Sequence, residues 1–270
     1  MNLTLDAKTV EMIAERLDLA EQNRAAIGLL SLEFPMMTID DGYAIQQAWV
    51  ARKMARDNPA IGHKIGLTSR AMQRAANISE PDYGVLLKDM LFHSGATIPW
   101  ERLITPRVET ELAFILKEDL SGPDCTIFDV LRATDYVVPA LEIIDARIMR
   151  SDPETGTTRK VFDTISDNAA NAAIVLGGRP VRPDAVDLRW ISALVYRNGG
   201  IEESGVAAAV LDHPANGVVW LANKLATRGV SLKAGQIVLG GSFTAPIEAR
   251  NGDGFHVDYG ALGSISVQFG

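Results

Sequence analysis

Cys125 is the one cysteine in 270 residues. A single thiol cannot close an intrachain disulfide, which points to a reducing compartment, and no cysteine cluster exists for structural zinc. Histidine is scarce as well: His63, His93, His213 and His256 are scattered, and none has the spacing of a metal-binding pair. Positive charge is in deficit, with 26 Lys+Arg against 34 Asp+Glu and a net charge of −8. Such a chain repels nucleic acid and anionic membranes, so neither is expected as a partner, although a small site can still be locally cationic. Long apolar runs are missing too. The longest, such as 205–211 and 172–176, fall far short of the ~18 residues that would span a bilayer. The N-terminus lacks a basic start followed by an apolar stretch, so no secretory signal is read there, and the expectation is a soluble cytoplasmic protein. Finally, no G-x-G-x-x-G, G-x-x-x-x-G-K-[ST] or G-x-S-x-G motif occurs, which leaves dinucleotide binding, P-loop chemistry and a serine nucleophile elbow without support.

What is present is an ordinary globular mix, 47% hydrophobic and 22% charged. The length suits one large domain that needs no disulfide or metal staple to fold. Residues 1–60 have helical periodicity. Val10, Ile13, Ala14, Leu17 and Ala20 mark one buried face, while Glu11, Glu15, Asp18 and Glu21 fall largely on the solvent side. Thr38-Ile39-Asp40-Asp41 predicts a capped start for a second helix, with Tyr43, Gln47, Val50 and Met54 along one side and Asn58-Pro59 as its limit. From residue 61 short β-branched runs alternate with Gly, Pro, Asn and Asp. Strands are predicted at 108–116, 137–144, 173–176, 236–239 and 264–269, with helices at 189–196 and 215–225. The fold class is α+β: a helical N-terminal segment (1–60) and a mainly β body (61–270) as one integrated unit.

The stretch 107–116, RVETELAFIL, places Glu109 and Glu111 on one face if it is a strand. Two neighbouring carboxylates repel, and each raises the other's pKa unless a cation intervenes. A solvated strand face, where such a pair costs little, remains open as the plainer reading. Residues 137–144, VVPALEII, tilt the balance. Glu142 lies within an apolar run, on the face of Val138, Ala140 and Ile144, where an unpaired carboxylate costs several kcal/mol or takes a proton. Either a lysine or arginine partner compensates it, or a metal ion shared with Glu109 and Glu111 does. An all-carboxylate set selects Mg²⁺ or Mn²⁺ over zinc.

Lys64, in Gly62-His63-Lys64-Ile65-Gly66, is either a lysine snorkelling from a strand edge or a cation beside the carboxylates. Residues 79–84, SEPDYG, have turn composition, with Asp82 as a candidate general acid or base. Residues 160–164 and 167–171 are polar clusters whose spacing reveals no chemistry. Residues 240–244, GGSFT, either offer backbone N–H groups to an anion or simply turn the chain.

RVETELAF (107–114) and PALEIID (139–145) resemble the metal-binding segments of the fumarylacetoacetate hydrolase superfamily. Four further segments resemble the hydratases of aromatic meta-cleavage pathways within it: 62–73, 78–84, 160–172 and 239–266. The resemblance covers nearly the whole chain. It implies a mixed, twisted β-roll core, Mg²⁺ (or Mn²⁺) held by Glu109, Glu111 and Glu142, a homo-oligomer, and proton work by Lys64 and Asp82. It further implies a Mg²⁺-dependent hydratase acting on a small unsaturated 2-oxo dicarboxylate. Candidate substrate-binding residues are Lys160, Ser242 and Phe243, with Arg70 and Arg107 for the far carboxylate. The catalytic His-Glu pair of the superfamily's hydrolases has no match, which weighs against hydrolytic C–C cleavage. A decarboxylase or a 2-oxopent-4-enoate hydratase would need the same ligands and stays open. A non-catalytic module with a structural ion is the rival from another class, but a structural site would be closed, whereas three carboxylates leave positions free.

Overall fold

The structure, a computed structural model, describes residues 2–75 and 78–270; the side chains of Ala71 and Met72, part of the segment 62–73 compared above, lie outside the described residues. Seven α-helices are present among these: α1 (Ala7–Asn23), α2 (Leu30–Glu33), α3 (Ile39–Met54), α4 (Arg70–Ala75), α5 (Ile127–Ala133), α6 (Val161–Ser166) and α7 (Ala215–Ala226). The start of α3 follows the sequence closely. Thr38 caps it, its side chain accepting from Asp41 N while Asp41 accepts from Thr38 N, a reciprocal capping box. The face predicted for α1 is buried as expected. Two details differ. Asp18 is buried, not solvated, because Arg56 reaches back to it with a 2.9 Å hydrogen bond. On α3 the buried side runs through Tyr43, Ile45, Gln46, Trp49 and Val50, whereas Gln47 and Met54 are exposed. This helix is wedged between α1 and α6, so more than one stripe of it is covered.

The described residues also form thirteen strands: β1 (Ala60–Gly66), β2 (Asp82–Leu87), β3 (Leu91–His93), β4 (Thr97–Ile98), β5 (Arg107–Leu116), β6 (Thr134–Ile144), β7 (Asn171–Leu176), β8 (Ser192–Arg197), β9 (Gly200–Val206), β10 (Ile237–Leu239), β11 (Ile247–Glu248), β12 (Gly254–Asp258) and β13 (Ser264–Phe269). They form two mixed sheets. The larger has the order β2-β1-β10-β5-β6-β7-β3, with β11 also on β5; the smaller is β4-β13-β12-β8-β9. The helix predicted at 189–196 is a correction: a short 3₁₀ turn at Leu188–Trp190 leads into strand β8. Ile191, Ala193 and Val195 are buried in alternation, so the apolar period is two. Likewise the turn composition of 79–84 gives way to strand at Asp82.

The long antiparallel pair β5–β6 divides the core. One face contributes Val108, Leu112, Phe114, Leu141 and Ile143 to the main cluster. The other carries Ala113 and Ala140 beside Leu86, Ile174 and Leu239 at one end, and the glutamates at the other. The N-terminal helices have their own cluster, in which Ile13, Leu17, Ile45 and Trp49 meet Leu87, Met90 and Ile148 of the β body. No helix among the described residues is long and apolar enough to cross a membrane.

On β1, His63 points away from Lys64. It is buried near Tyr83, with ring centroids 6.4 Å apart, and its Nδ1 has no hydrogen-bond partner. Burial pushes its pKa down from 6.5 to about 4. As pH falls through 6.5 the unfolded chain takes up a proton that the folded chain refuses until about pH 4. His63 therefore lowers stability progressively over that window, by about 3 kcal/mol at its acid end. In urea titrations the wild type should lose stability from pH 6.5 to 4 more steeply than His63→Gln; parallel curves would contradict a neutral, desolvated His63.

Candidate active site

Strand register assembles the site. Glu109 and Glu111 project from the same face of β5, and Glu142 on β6 lies directly opposite Glu109. One carboxylate oxygen from each lies within 4.8 Å of the others. Burial, and after it the negative charge of Glu142, raises both strand-β5 glutamates: Glu109 to about 7, and Glu111 well above the carboxylate range. The opposing charge is Lys64. Its strand β1 is interior to the sheet, next to β10, which excludes the strand-edge reading. Lys64 Nζ donates to Ala169 O at 3.0 Å and lies 3.2 Å from Glu142 Oε1. Burial alone would strip its proton, but the field of Glu142, then of Asp82, Glu109 and Glu111, outweighs burial and keeps the ammonium charged.

Asp82 opens β2, opposite Gly66 on β1. A Cβ on Gly66 would stand 2.2 Å from Asp82 Oδ1 and 3.1 Å from Lys64 Nζ, so only glycine lets these two groups share the space. Burial raises the Asp82 pKa, against the pull of Lys64. Neither Asp82 oxygen has a hydrogen-bond partner.

The oxygens left over test the metal expectation. Glu111 Oε2 accepts from Gly241 N at 2.8 Å, and Glu142 Oε1 accepts from Asn171 Nδ2 at 2.8 Å. Glu111 Oε1 and Glu142 Oε2 remain buried and unpartnered. One lysine does not balance three glutamates and an aspartate. Converging carboxylate oxygens without N or S donors fit a hard divalent cation, and its octahedral preference would leave positions for a ligand.

The chain segment that trims this cluster lies within the polar run 167–171, whose spacing revealed no chemistry. Asn168, Ala169 and Ala170 are consecutively left-handed, with φ of 52, 50 and 60°. Such backbone costs roughly 1–2 kcal/mol per residue without glycine, so it must be held. Asn168 exchanges hydrogen bonds with Val85 N and Val85 O at 2.8 and 2.9 Å. Buried Arg147 pairs with the Asp167 carboxylate and donates to Asp167 O and Asn171 O at 2.8 and 2.9 Å. Arg147 also lies over Trp49 at 5.0 Å and 3.6 Å from Glu21, so α1 and α3 clamp it from behind. The result aims Ala169 O at Lys64 and Asn171 at Glu142.

The remaining candidates divide. Ser242 and Phe243 line a cavity of about 360 Å³ together with Gly66, Thr68, Glu109 and Pro246. The amide that the 240–244 turn offers to an anion, Gly241 N, goes to Glu111. Arg107 shares the Glu109 face of β5 and lines a second cavity of about 370 Å³. Two candidates are not brought in: Arg70 is exposed, 3.7 Å from Asp212, and Lys160 is exposed with its ammonium 5.7 Å from the Phe162 ring.

If the three glutamates hold a cation, Glu142→Gln turns a charged ligand neutral and should weaken Mn²⁺ binding by about tenfold or more, a loss of ~1.4 kcal/mol. Calorimetric titration of metal-free protein checks this, and equal affinities would remove Glu142 from the site.

No protein-family model matches the chain. It is 64% identical over 264 residues to the 2-oxo-hept-4-ene-1,7-dioate hydratase of Escherichia coli, spanning 98% of this chain and 99% of that one. The structure of 4-oxalocrotonate decarboxylase from Pseudomonas putida G7, complexed with magnesium and adipate, superposes with a TM-score of 0.94 at 36% identity, covering 99% of this chain and all of that one. The fold extends to a putative fumarylacetoacetate hydrolase family protein from Yersinia pestis CO92, with a TM-score of 0.55, 17% identity and coverage of 79% and 94%. With an acidic cluster on paired strands and near-complete alignment to a hydratase and a decarboxylase, the chain belongs to the family of 2-oxo-hept-4-ene-1,7-dioate hydratase and 4-oxalocrotonate decarboxylase.

Proposed function

We propose that this chain is a divalent-metal-dependent hydratase that adds water to a 2-oxoheptene-1,7-dioate, giving 4-hydroxy-2-oxoheptane-1,7-dioate. The observation that carries the chemistry is the converging Glu109–Glu111–Glu142 set, with buried unpartnered oxygens on Glu111 and Glu142, flanked by Lys64 and Asp82. The 64% identity to a hydratase of that name supports the substrate. On the same basis we assign it to homoprotocatechuate breakdown by meta-cleavage, in the cytoplasm, as a homo-oligomer. Residues 1–60 and 61–270 act as one unit in this reading, because Trp49 and Glu21 support the Arg147 clamp.

Glu109, Glu111 and Glu142 would hold the cation, Mg²⁺ or Mn²⁺, which supplies Lewis-acid polarisation of the 2-oxo group. The protein's own groups do the rest. Water adds at C4 of the conjugated 3-ene, its hydroxyl bonding to C4 while a proton reaches C3. Starting from the 4-ene, one proton first leaves C3 and one arrives at C5. Asp82 has two free oxygens in a buried setting, and we place the proton transfers there. Lys64 spends its contacts on Ala169 O and Glu142, which fixes its ammonium where negative charge builds on the substrate. Gly66 keeps the space between them open.

NMR analysis of products after adding the dioate and Mg²⁺ tests the reading. The 4-hydroxy-2-oxo acid should form, EDTA should abolish turnover, and Mg²⁺ or Mn²⁺ should restore it. Release of CO₂ would move the chain to the decarboxylase branch, and full activity without metal would remove the cation. Lys64→Met should lower kcat by ~10²–10³-fold in a folded protein through loss of that charge stabilisation; an unchanged kcat would return Lys64 to a structural role.

A further inference from the structure

The structure carries a second charged cluster that the chemistry above does not use. Residues 150–159 form a hairpin: Ser151 bridges Thr158, and Arg159 N donates to Arg150 O at 3.0 Å, which sets the two arginines side by side. Arg150 is fixed in place, its Nη1 and Nη2 donating to Thr105 Oγ1 and Thr105 O at 2.6 and 2.9 Å. Arg107 follows two residues later on β5, on the face that carries Glu109 and Glu111. Arg107 and Arg150 line the same cavity of about 370 Å³. Arg159 is partly buried, and its Nη1 is sealed from solvent with no hydrogen-bond partner.

None of these three guanidinium groups makes an ion pair with a described carboxylate, in a chain that has acid to spare. Glu248 lines the cavity too, but its carboxylate is taken by Arg250 at 3.3 Å. Burial, then Arg107 and Arg159, lowers the Arg150 pKa to about 10 against Asp145 and Asp167, and burial lowers that of Arg159 with Arg107 adding to it, against Asp167, Asp82 and Asp163. Gathering like charges in a partly desolvated pocket is costly unless an anion arrives. Planar guanidinium groups are the side chains best shaped to hold a carboxylate by paired hydrogen bonds. The cluster is also in the right neighbourhood. Arg159 acts on Asp82, and Arg107 acts on Glu109, so the arginines flank the acid and metal set without belonging to it.

We propose that Arg159, with Arg107 and Arg150, seats the carboxylate of the substrate farthest from the metal, so that the site measures a diacid between two charged ends. The inference rests on the proposed function for which end is which. It assigns the far-carboxylate role to Arg159 and Arg150 on a loop and to Arg107, and withdraws it from Arg70.

The test uses two unreactive saturated ligands of equal length, 2-oxoheptanedioate and 2-oxoheptanoate, which differ in the terminal carboxylate. Calorimetry on Mg²⁺-loaded full-length protein should show the diacid bound roughly tenfold or more tightly, the worth of one charge-assisted contact. Arg159→Gln and Arg107→Met should each pull that ratio towards one by weakening the diacid alone, and Arg159→Lys should keep part of it. If Arg159→Gln does not fold, Arg107→Met and Arg150→Met decide. Equal weakening of both ligands would place the arginines at the shared 2-oxo acid end, and no preference in the wild type would mean no far seat; either result overturns the proposal. Because the measurement has no chemical step, decarboxylation in place of hydration would leave it standing, and hydration with an unaltered ratio would fell it alone.

Discussion

Three glutamates and one aspartate converge on one lysine, all buried except Glu109, which is half-buried at the cavity wall, and that imbalance governs the site. Two like charges ~4 Å apart near a protein surface repel by roughly 4 kcal/mol, more where the dielectric falls. Protons relieve the repulsion in part, as the raised Glu109, Glu111 and Asp82 show. A divalent cation relieves it more completely and satisfies the oxygens that no protein donor reaches. The same field keeps Lys64 charged in spite of its burial. A site that stores uncompensated charge is one prepared for an ion and an anionic ligand.

The rest of the chain can be understood as what holds that arrangement. The β5–β6 register sets Glu109 against Glu142, and β1 lies two strands from β5, bringing Lys64 within reach. The left-handed run 168–170 trims the cluster from the other side, and Arg147 anchors it to Asp167 and Asn171. Through Trp49 and Glu21 the N-terminal helices support Arg147. They are part of how the site is made, though none of their residues enters it.

Much of the site was legible because strands alternate. Two glutamates two residues apart, and a lone one in an apolar run, announce one face and one cost. Residues 167–171 were opaque because alanine carries no mark of a left-handed backbone, and because Arg147 lies far from Asp167 in sequence. Arg159 was passed over for the same reason: a hairpin, not a periodic element, turns it inward, while its neighbour Lys160 turns out. The helix expected at 189–196 failed because Ser192–Arg197 is short and its burial period is visible only against a neighbouring strand. The resemblance supplied what spacing could not, namely the substrate class.

The central claim is that the buried carboxylates exist to hold one cation. The most direct measurement is an anomalous difference map from a crystal of the protein grown with Mn²⁺. A single strong peak within roughly 2.0–2.3 Å of oxygens from Glu109, Glu111 and Glu142 is the expected result. A map without a peak there, or with Lys64 alone bridging the three carboxylates in fully loaded protein, would contradict it.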